Sequence, residues 1–95
     1  MAGVIVELYS SAFCGPCRST RAVLHRAAQL VPSVRVVEVD VADEVGRAER
    51  AGITTTPTVL VRDGSGAEVF RATGTPSLPH VLSALDRALT STTHR

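Results

Sequence analysis

Apolar and polar positions along the first half of the chain predict a strand, a helix and a second strand. Residues 4–9 are mostly apolar and β-branched, which is typical of a strand buried on much of both faces. From Thr20 to Val31, apolar side chains recur at helical spacing and predict a helix that starts at the cysteines and ends before Pro32. Residues 34–41 are again extended in character and predict the second strand.

The second half of the pattern predicts a short helix, a β-hairpin and a last helix. Asp43 is placed to cap the short helix and Gly52 to end it, because these residue types favour those positions. Residues 58–62 and 68–72 flank a glycine-containing turn and predict the hairpin. The last helix is indicated by apolar side chains on one face: Leu78, Val81, Leu82, Leu85 and Leu89.

The resulting order, βαβαββα, predicts an α/β fold with a mixed four-stranded sheet between helices. The first crossover should make the first two strands parallel, and the hairpin should make the last two antiparallel. A chain of 95 residues is long enough for one hydrophobic core and too short for two. We therefore expect a single domain over residues 1–90, followed by a flexible polar tail over residues 91–95.

The composition and charge of the chain limit the classes of partner that we expect. Hydrophobic residues make up 44% of the chain, which argues against disorder, and the net charge is only +1. The basic residues are spread along the chain, so we expect neither nucleic acid nor membrane as a partner. The first residues lack the pattern of a secretory signal, and we expect a cytoplasmic protein. In that compartment, two close cysteines are more often catalytic or metal-binding than structural.

The two cysteines lie in the stretch FCGPC, residues 13–17, where the first strand gives way to the first helix. About forty residues later comes Thr56-Pro57, directly before a predicted strand, and the hairpin ends in Gly74. Together these features resemble the thioredoxin superfamily over nearly the whole chain. The resemblance implies the sheet order 2-1-3-4, helices on both faces and a cis peptide bond before Pro57. It also implies a thiol-disulfide oxidoreductase that reduces disulfides.

The resemblance assigns roles to individual residues. Cys14 is expected to be the nucleophile at the helix N-terminus, where unpaired N–H groups favour a thiolate, and Cys17 the resolving thiol. The expected substrate-binding residues surround that pair: Phe13, Gly15, Pro16, Thr56, Pro57 and Gly74. Phe13 could instead be a packing residue, and Gly74 an ordinary turn glycine. Arg18 either adds positive potential near the pair or is a solvated helix residue.

One position departs from the family pattern. Thioredoxins carry a buried Asp six residues before the nucleophile, which helps to move the proton of the resolving cysteine; here that position is Leu8. Glu38, between Val37 and Val39, is our hypothesis for a partial replacement as a proton relay. The alternative is a solvated Glu on an edge strand, since Glu is rarely buried without a partner.

A metal site, a different reductase type and a binding module are the alternatives to this interpretation. One CxxC supplies two of the four ligands of a structural zinc site, and we expect His25, His80 and His94 to be ordinary exposed histidines, so no metal and no cofactor is predicted. A glutaredoxin-like reductase that depends on a small thiol is an alternative, but CGPC and the lack of an evident basic site for a glutathione carboxylate make it secondary. A thioredoxin-fold binding module with little turnover would keep the same groove. The expected partners are disulfide-containing proteins and, as electron donor, a thioredoxin-reductase-like flavoprotein or a low-molecular-weight thiol. We expect a monomer.

Overall fold

A computed structural model describes residues 3–93 of the chain. The elements follow the predicted order: β1 (Ile5–Ser10), α1 (Gly15–Leu30), β2 (Arg35–Asp40), α2 (Val45–Arg50), β3 (Thr58–Arg62), β4 (Glu68–Thr73) and α3 (Leu78–Thr93). Within these described residues, no helix is both long and apolar enough to cross a membrane.

The four strands form one mixed sheet in the order β2-β1-β3-β4. β1 is parallel to β2 and antiparallel to β3, and β4 is antiparallel to β3. The predicted fold class and strand order are therefore confirmed. Because β1 and β3 are the two inner strands, the loops that follow β1 and precede β3 lie side by side at one end of the sheet.

Side chains of β1 alternate between two cores, one on each face of the sheet. Val6 and Leu8 pack with α1 and α3 in the larger core, which also contains Leu24 and Leu85. Burying a leucine of this kind stabilises the fold by about 2 kcal/mol. Tyr9 faces the other way, into a smaller core that it forms with Val39 of β2 and Leu60 of β3. Ala48 of α2 packs against them. The sheet is thus covered by two helices on one face and by α2 on the other.

Two predicted boundaries differ from those of the structure. Glu44, and not Asp43, is the N-cap residue of α2, and its side chain makes no capping hydrogen bond. The prediction was wrong because Asp40 already organises this turn: its Oδ1 accepts from the backbone N–H of Ala42 at 2.8 Å and of Asp43 at 3.2 Å. The last helix continues to Thr93, beyond the expected domain end at residue 90. Residues 94 and 95 of the expected tail, His94 among them, lie outside the described residues.

Candidate active site

The two cysteines occupy the start of α1 and are joined by a disulfide, with their Cα atoms 5.2 Å apart. Cys14 is the N-cap residue, and its Sγ accepts a hydrogen bond from the backbone N–H of Cys17 at 3.2 Å. Cys17 lies one turn further along and is buried, with 1% of its surface exposed, whereas Cys14 is half-buried. Of the two sulfurs, only that of Cys14 is therefore accessible to a reaction partner in solution.

Phe13 stands fully in solvent immediately before the pair. Its φ of 60° lies in the left-handed region, which costs a non-glycine residue about 1–2 kcal/mol. A large apolar side chain that gains no burial and is held in a costly backbone conformation contributes nothing to packing. Gly15 and Pro16 are also exposed, so residues 13–16 present a continuous accessible rim.

Hydrogen bonds tie three loops together around this rim. The hydroxyls of Ser11 and Thr56 are 2.8 Å apart, which links the loop before Cys14 to the loop before Pro57. The Thr56–Pro57 peptide bond is cis. The carbonyl of Pro57 accepts a hydrogen bond from the N–H of Gly74 at 2.9 Å, which joins the third loop to the second. The structure thus brings Thr56, Pro57 and Gly74 next to the segment that carries the cysteines.

Thr56 offers an open backbone edge at this junction. Within residues 3–93, neither its N–H nor its C=O makes a hydrogen bond. A small pocket of about 240 Å³ adjoins this edge, lined by Val41, Ile53, Thr54, Thr55 and Thr56. An extended peptide could pair with the free backbone groups and insert a side chain into that pocket.

Gly74 is required by its backbone conformation. Its φ is +80°, a region that L side chains rarely adopt, yet a Cβ placed there would meet no heavy atom within 4 Å. The space above Gly74 is therefore open to solvent, and the glycine leaves it clear.

A hydroxyl pair behind the cysteines was missed by the sequence analysis, which counted Thr20 with the apolar face of its helix. Thr20 is fully buried and donates to the carbonyl of Pro16 at 2.8 Å, and its Oγ1 is 2.8 Å from that of Thr75. Thr75 also donates to the Pro16 carbonyl at 3.3 Å. A polar residue at a core-facing helical position is the signal that could have revealed this link, since threonine there bonds back to the preceding turn.

Two arginines lie beside Cys14. They contribute to a surface pocket of about 320 Å³, which is lined by Ser11, Phe13, Cys14, Gly15, Arg18 and Arg21. Arg18 makes no hydrogen bond or ion pair within the described chain, whereas Arg21 pairs with Glu38. From the sequence, Arg18 was expected either to add positive potential near the cysteines or to be solvated, and its shared pocket with Arg21 was not predicted.

Glu38 is located away from the disulfide, on the edge strand β2. Its carboxylate accepts from Arg21 Nε at 2.7 Å and Nη2 at 2.6 Å, and from the hydroxyl of Ser10 at 2.8 Å. The hydrogen bond from Arg21 lowers the pKa of Glu38, although partial burial opposes the shift. These hydrogen bonds connect Glu38 to α1 and β1, and within the described residues none joins it to a cysteine.

A buried carboxylate does exist in β1, one residue before the expected position. Leu8 is fully buried in the larger core, while Glu7 faces α2 and is only 6% exposed. Glu7 accepts from the Tyr9 hydroxyl at 3.0 Å, from Arg62 at 3.1 Å and from Arg47 at 3.1 Å. Burial by itself raises the pKa of Glu7, but the hydrogen bonds from Arg47, Tyr9 and Arg62 outweigh it and the pKa is lowered.

The described residues contain no group of three or more His, Cys, Asp or Glu side chains that could hold a metal ion. His25 and His80 are exposed on α1 and α3.

The chain is similar to known proteins over most of its length. Residues 2–87 match the family model described as Thioredoxin. The thioredoxin of Mycoplasma genitalium is 37% identical over 71 residues, which cover 75% of this chain and 68% of that protein. The NADPH-dependent thioredoxin reductase 3 of Arabidopsis thaliana is 40% identical over 57 residues, 59% of this chain, and the match spans only 11% of that much longer protein.

Among solved structures, the thioredoxin of Fasciola hepatica superimposes with a TM-score of 0.79 at 26% identity. That superposition covers 92% of this chain and 82% of the other.

Proposed function

The chain belongs to the thioredoxin family, and we propose that it reduces disulfides of protein substrates through a Cys14–Cys17 dithiol cycle. It is a thiol-disulfide oxidoreductase. The observation that carries the proposal is the asymmetry of the pair: an accessible sulfur at the N-cap of α1 and a buried sulfur one turn later.

The cycle follows from that asymmetry. In the reduced protein, the Cys14 thiolate is favoured by the free N–H groups at the start of α1 and attacks one sulfur of the substrate disulfide. The substrate S–S bond breaks, its other sulfur leaves as a thiolate that takes up a proton, and a mixed disulfide to Cys14 forms. Cys17 then loses its proton and attacks Cys14 Sγ, which releases the second substrate thiol. The substrate gains two electrons and two protons, and the protein ends in the disulfide form.

Substrate positioning is proposed to use the rim and the open backbone edge. Thr56 would pair with an extended segment next to the target cysteine, with Pro57 holding that edge beside the disulfide. Phe13, Gly15 and Pro16 would contact the substrate on the side of α1. Gly74 leaves room for the substrate main chain on the far side of the groove.

The electron donor is proposed to be a thioredoxin-reductase-like flavoprotein, with a low-molecular-weight thiol as the alternative. The likeness to part of an NADPH-dependent thioredoxin reductase supports the first choice. No cofactor is needed, because the two thiols carry both electrons. Rates of re-reduction of the Cys14–Cys17 disulfide by each donor will distinguish the two; a thiol that reduces the pair faster than the reductase would reverse the choice.

We also propose a cytoplasmic monomer. The two cysteines are the only ones in the chain, which suits a pair that cycles in a reducing compartment and not a structural bridge. Alkylation of thiols in intact cells should find the pair mainly reduced, and sedimentation should give a mass near 10.0 kDa. A mainly oxidised pair or a stable dimer would contradict the respective proposal.

The cycle is tested with a peptide whose disulfide joins a fluorophore to a quencher. Wild type should restore fluorescence catalytically with dithiothreitol as donor, Cys14→Ser should be inactive, and Cys17→Ser should accumulate a mixed disulfide on Cys14 that mass spectrometry identifies. Wild type with alkylated cysteines is the control. Turnover that survives Cys14→Ser would overturn the assignment, and retained peptide binding without any turnover would favour the binding module instead.

A further inference from the structure

The pocket beside Cys14 has a cationic wall that the disulfide exchange itself does not use. Arg18 lies one helical turn after Cys14, and Arg21 lies three residues beyond Arg18, so both face the same side of α1. Both line the pocket together with the reactive cysteine. A volume of about 320 Å³ holds a small substituent next to the attacked sulfur, and not a whole peptide.

The charges around this pocket do not cancel. Arg21 is held in a two-pronged ion pair with Glu38, which neutralises it, but Glu38 itself does not line the pocket. Arg18 is exposed and has no partner within the described residues. The first turn of α1 contains no acidic residue. One uncompensated guanidinium therefore acts together with the positive end of the helix at the pocket.

Resting on the proposed function, we propose that this pocket selects disulfides that carry a carboxylate close to the attacked sulfur, with Arg18 as the group that binds it. The planar guanidinium forms paired hydrogen bonds with a carboxylate, and the ion pair with Glu38 keeps Arg21 in place on the same cationic wall. Cysteine derivatives carry such a group within a few bonds of sulfur when their α-carboxyl is free. A Glu or Asp next to a protein cysteine supplies the same chemistry.

The carboxylate changes no bond in the exchange. Its ion pair with Arg18 lowers the cost of bringing an anionic disulfide up to the anionic Cys14 thiolate, which would otherwise repel it. The effect should therefore appear as a preference between charged and uncharged disulfides with the same sulfur chemistry, and it should weaken as salt is added.

The first experiment measures the rate of a single round of exchange between reduced protein and either dithiodipropionate or its uncharged bis-amide. The ratio of the two rates should fall about three- to fivefold in Arg18→Gln, as expected for loss of a partly exposed ion pair. Arg26→Gln removes the same charge from the exposed face of α1 away from the pocket and should leave the ratio unchanged. Equal ratios in wild type and Arg18→Gln, or equal losses in both variants, would overturn the proposal.

The rate with the bis-amide distinguishes failure of the carboxylate selectivity from failure of the proposed reductase function. If wild type fails to reduce the bis-amide, the reductase function itself is wrong; if the amide is reduced normally and the ratio ignores Arg18, only the carboxylate selectivity is wrong. A second arm uses two peptide disulfides that differ by Glu or Gln beside the cysteine. An Arg18-dependent preference for the Glu peptide identifies a protein side chain as a source of the carboxylate, whereas a preference confined to dithiodipropionate identifies small anionic disulfides as the source.

Discussion

Cys14 combines two tasks in one backbone conformation. As the N-cap of α1 it has extended dihedral angles, and its sulfur takes the place of the side-chain oxygen that usually accepts the N–H three residues on. The same geometry that caps the helix thus directs the sulfur toward the free N–H groups that favour a thiolate. Cys17 needs no such contact because its function begins only after Cys14 is bonded to a substrate.

Glu38 allows a sharp test at the scale of one residue. If its carboxylate takes part in removing the proton from Cys17, Glu38→Gln should shift the pH profile of mixed-disulfide resolution and slow that step about threefold at neutral pH, a small part of what a full general base supplies. The measurement is the decay of a preformed mixed disulfide on Cys14 between pH 5 and pH 9. Superimposable profiles would remove Glu38 from the mechanism.

The ion pair with Arg21 complicates that variant, because Glu38→Gln also releases a positive charge near Cys14. The double variant Arg21→Gln, Glu38→Gln restores the charge balance without restoring a carboxylate. A relay carboxylate requires the double variant to stay slow. If the double variant instead behaves as wild type, the effect belongs to the freed arginine and the relay hypothesis fails.

The elements meet at the site through their loops. α1 starts where β1 ends, β3 starts where the Thr56–Pro57 edge ends, and the turn after β4 bonds back to Pro57. Thr20 and Thr75 add a link from the first turn of α1 to the loop before α3. In the disulfide form, this network fixes the substrate edge relative to the cysteines.

Two glycines provide a matched test of the groove. Gly74 and Gly52 both have positive φ values, +80° and +71°, and a Cβ at either would meet no heavy atom within 4 Å. Alanine at either position should therefore lower the free energy of unfolding by about 1 kcal/mol, through backbone strain alone. Only Gly74→Ala should in addition slow reduction of a peptide disulfide, by about threefold or more for a methyl group in the path of the substrate, which is worth roughly 1 kcal/mol.

The measurements are urea unfolding of the oxidised proteins and reduction rates for the peptide and for the bis-amide of dithiodipropionate. Because the small amide does not extend across the groove, its rate should be the same in both variants. A loss of peptide reduction in Gly52→Ala equal to that in Gly74→Ala would mean that general destabilisation, and not the groove, accounts for the effect.

The types of the helices and strands and their order along the chain could be predicted from hydrophobic periodicity. The crossover and the hairpin predicted which strands pair parallel and antiparallel. The sheet order and the helices on both faces were implied by the resemblance to thioredoxins and did not follow from periodicity alone. The N-cap of α2 could not be predicted, since Asp43 is an acceptable cap residue in sequence, but its own N–H bonds to Asp40 in the turn and the helix is capped one residue later, at Glu44. The pocket of Arg18 and Arg21 was equally hidden, because exposed arginines on a helix look alike until the loop that carries Phe13 is positioned over them.

On the scale of the whole molecule, the polar cluster at Glu7 connects parts that are distant in sequence. One carboxylate in the centre of the sheet bonds to Tyr9 in β1, Arg62 in β3 and Arg47 in α2. The bond from Arg47 reaches α2 and adds a polar contact to the packing of Ala48 in the smaller core. A glutamate inside an apolar strand is the one signal of this cluster in the sequence, but its arginine partners lie 40 and 55 residues away and could not be identified from spacing.

Stability against acid should therefore depend on Glu7. Its pKa in the folded protein is below the ordinary value of about 4.5, so its contribution is complete above that value and is lost as the pH falls through the folded pKa. Glu7→Gln should lower the free energy of unfolding by about 2 kcal/mol at pH 7, because two partly buried arginines lose their shared partner. That difference from wild type should persist at pH 6 and shrink steadily below pH 4.5, as wild type also loses the charge.

Urea unfolding at a series of pH values measures this difference in the free energy of unfolding. The control is Glu49→Gln, which removes an exposed carboxylate from α2, the helix that carries Arg47, and should differ little from wild type at any pH. A Glu7→Gln deficit that stays constant from pH 7 to pH 3 would show that packing of the side chain, and not its charge, fixes α2 to the sheet.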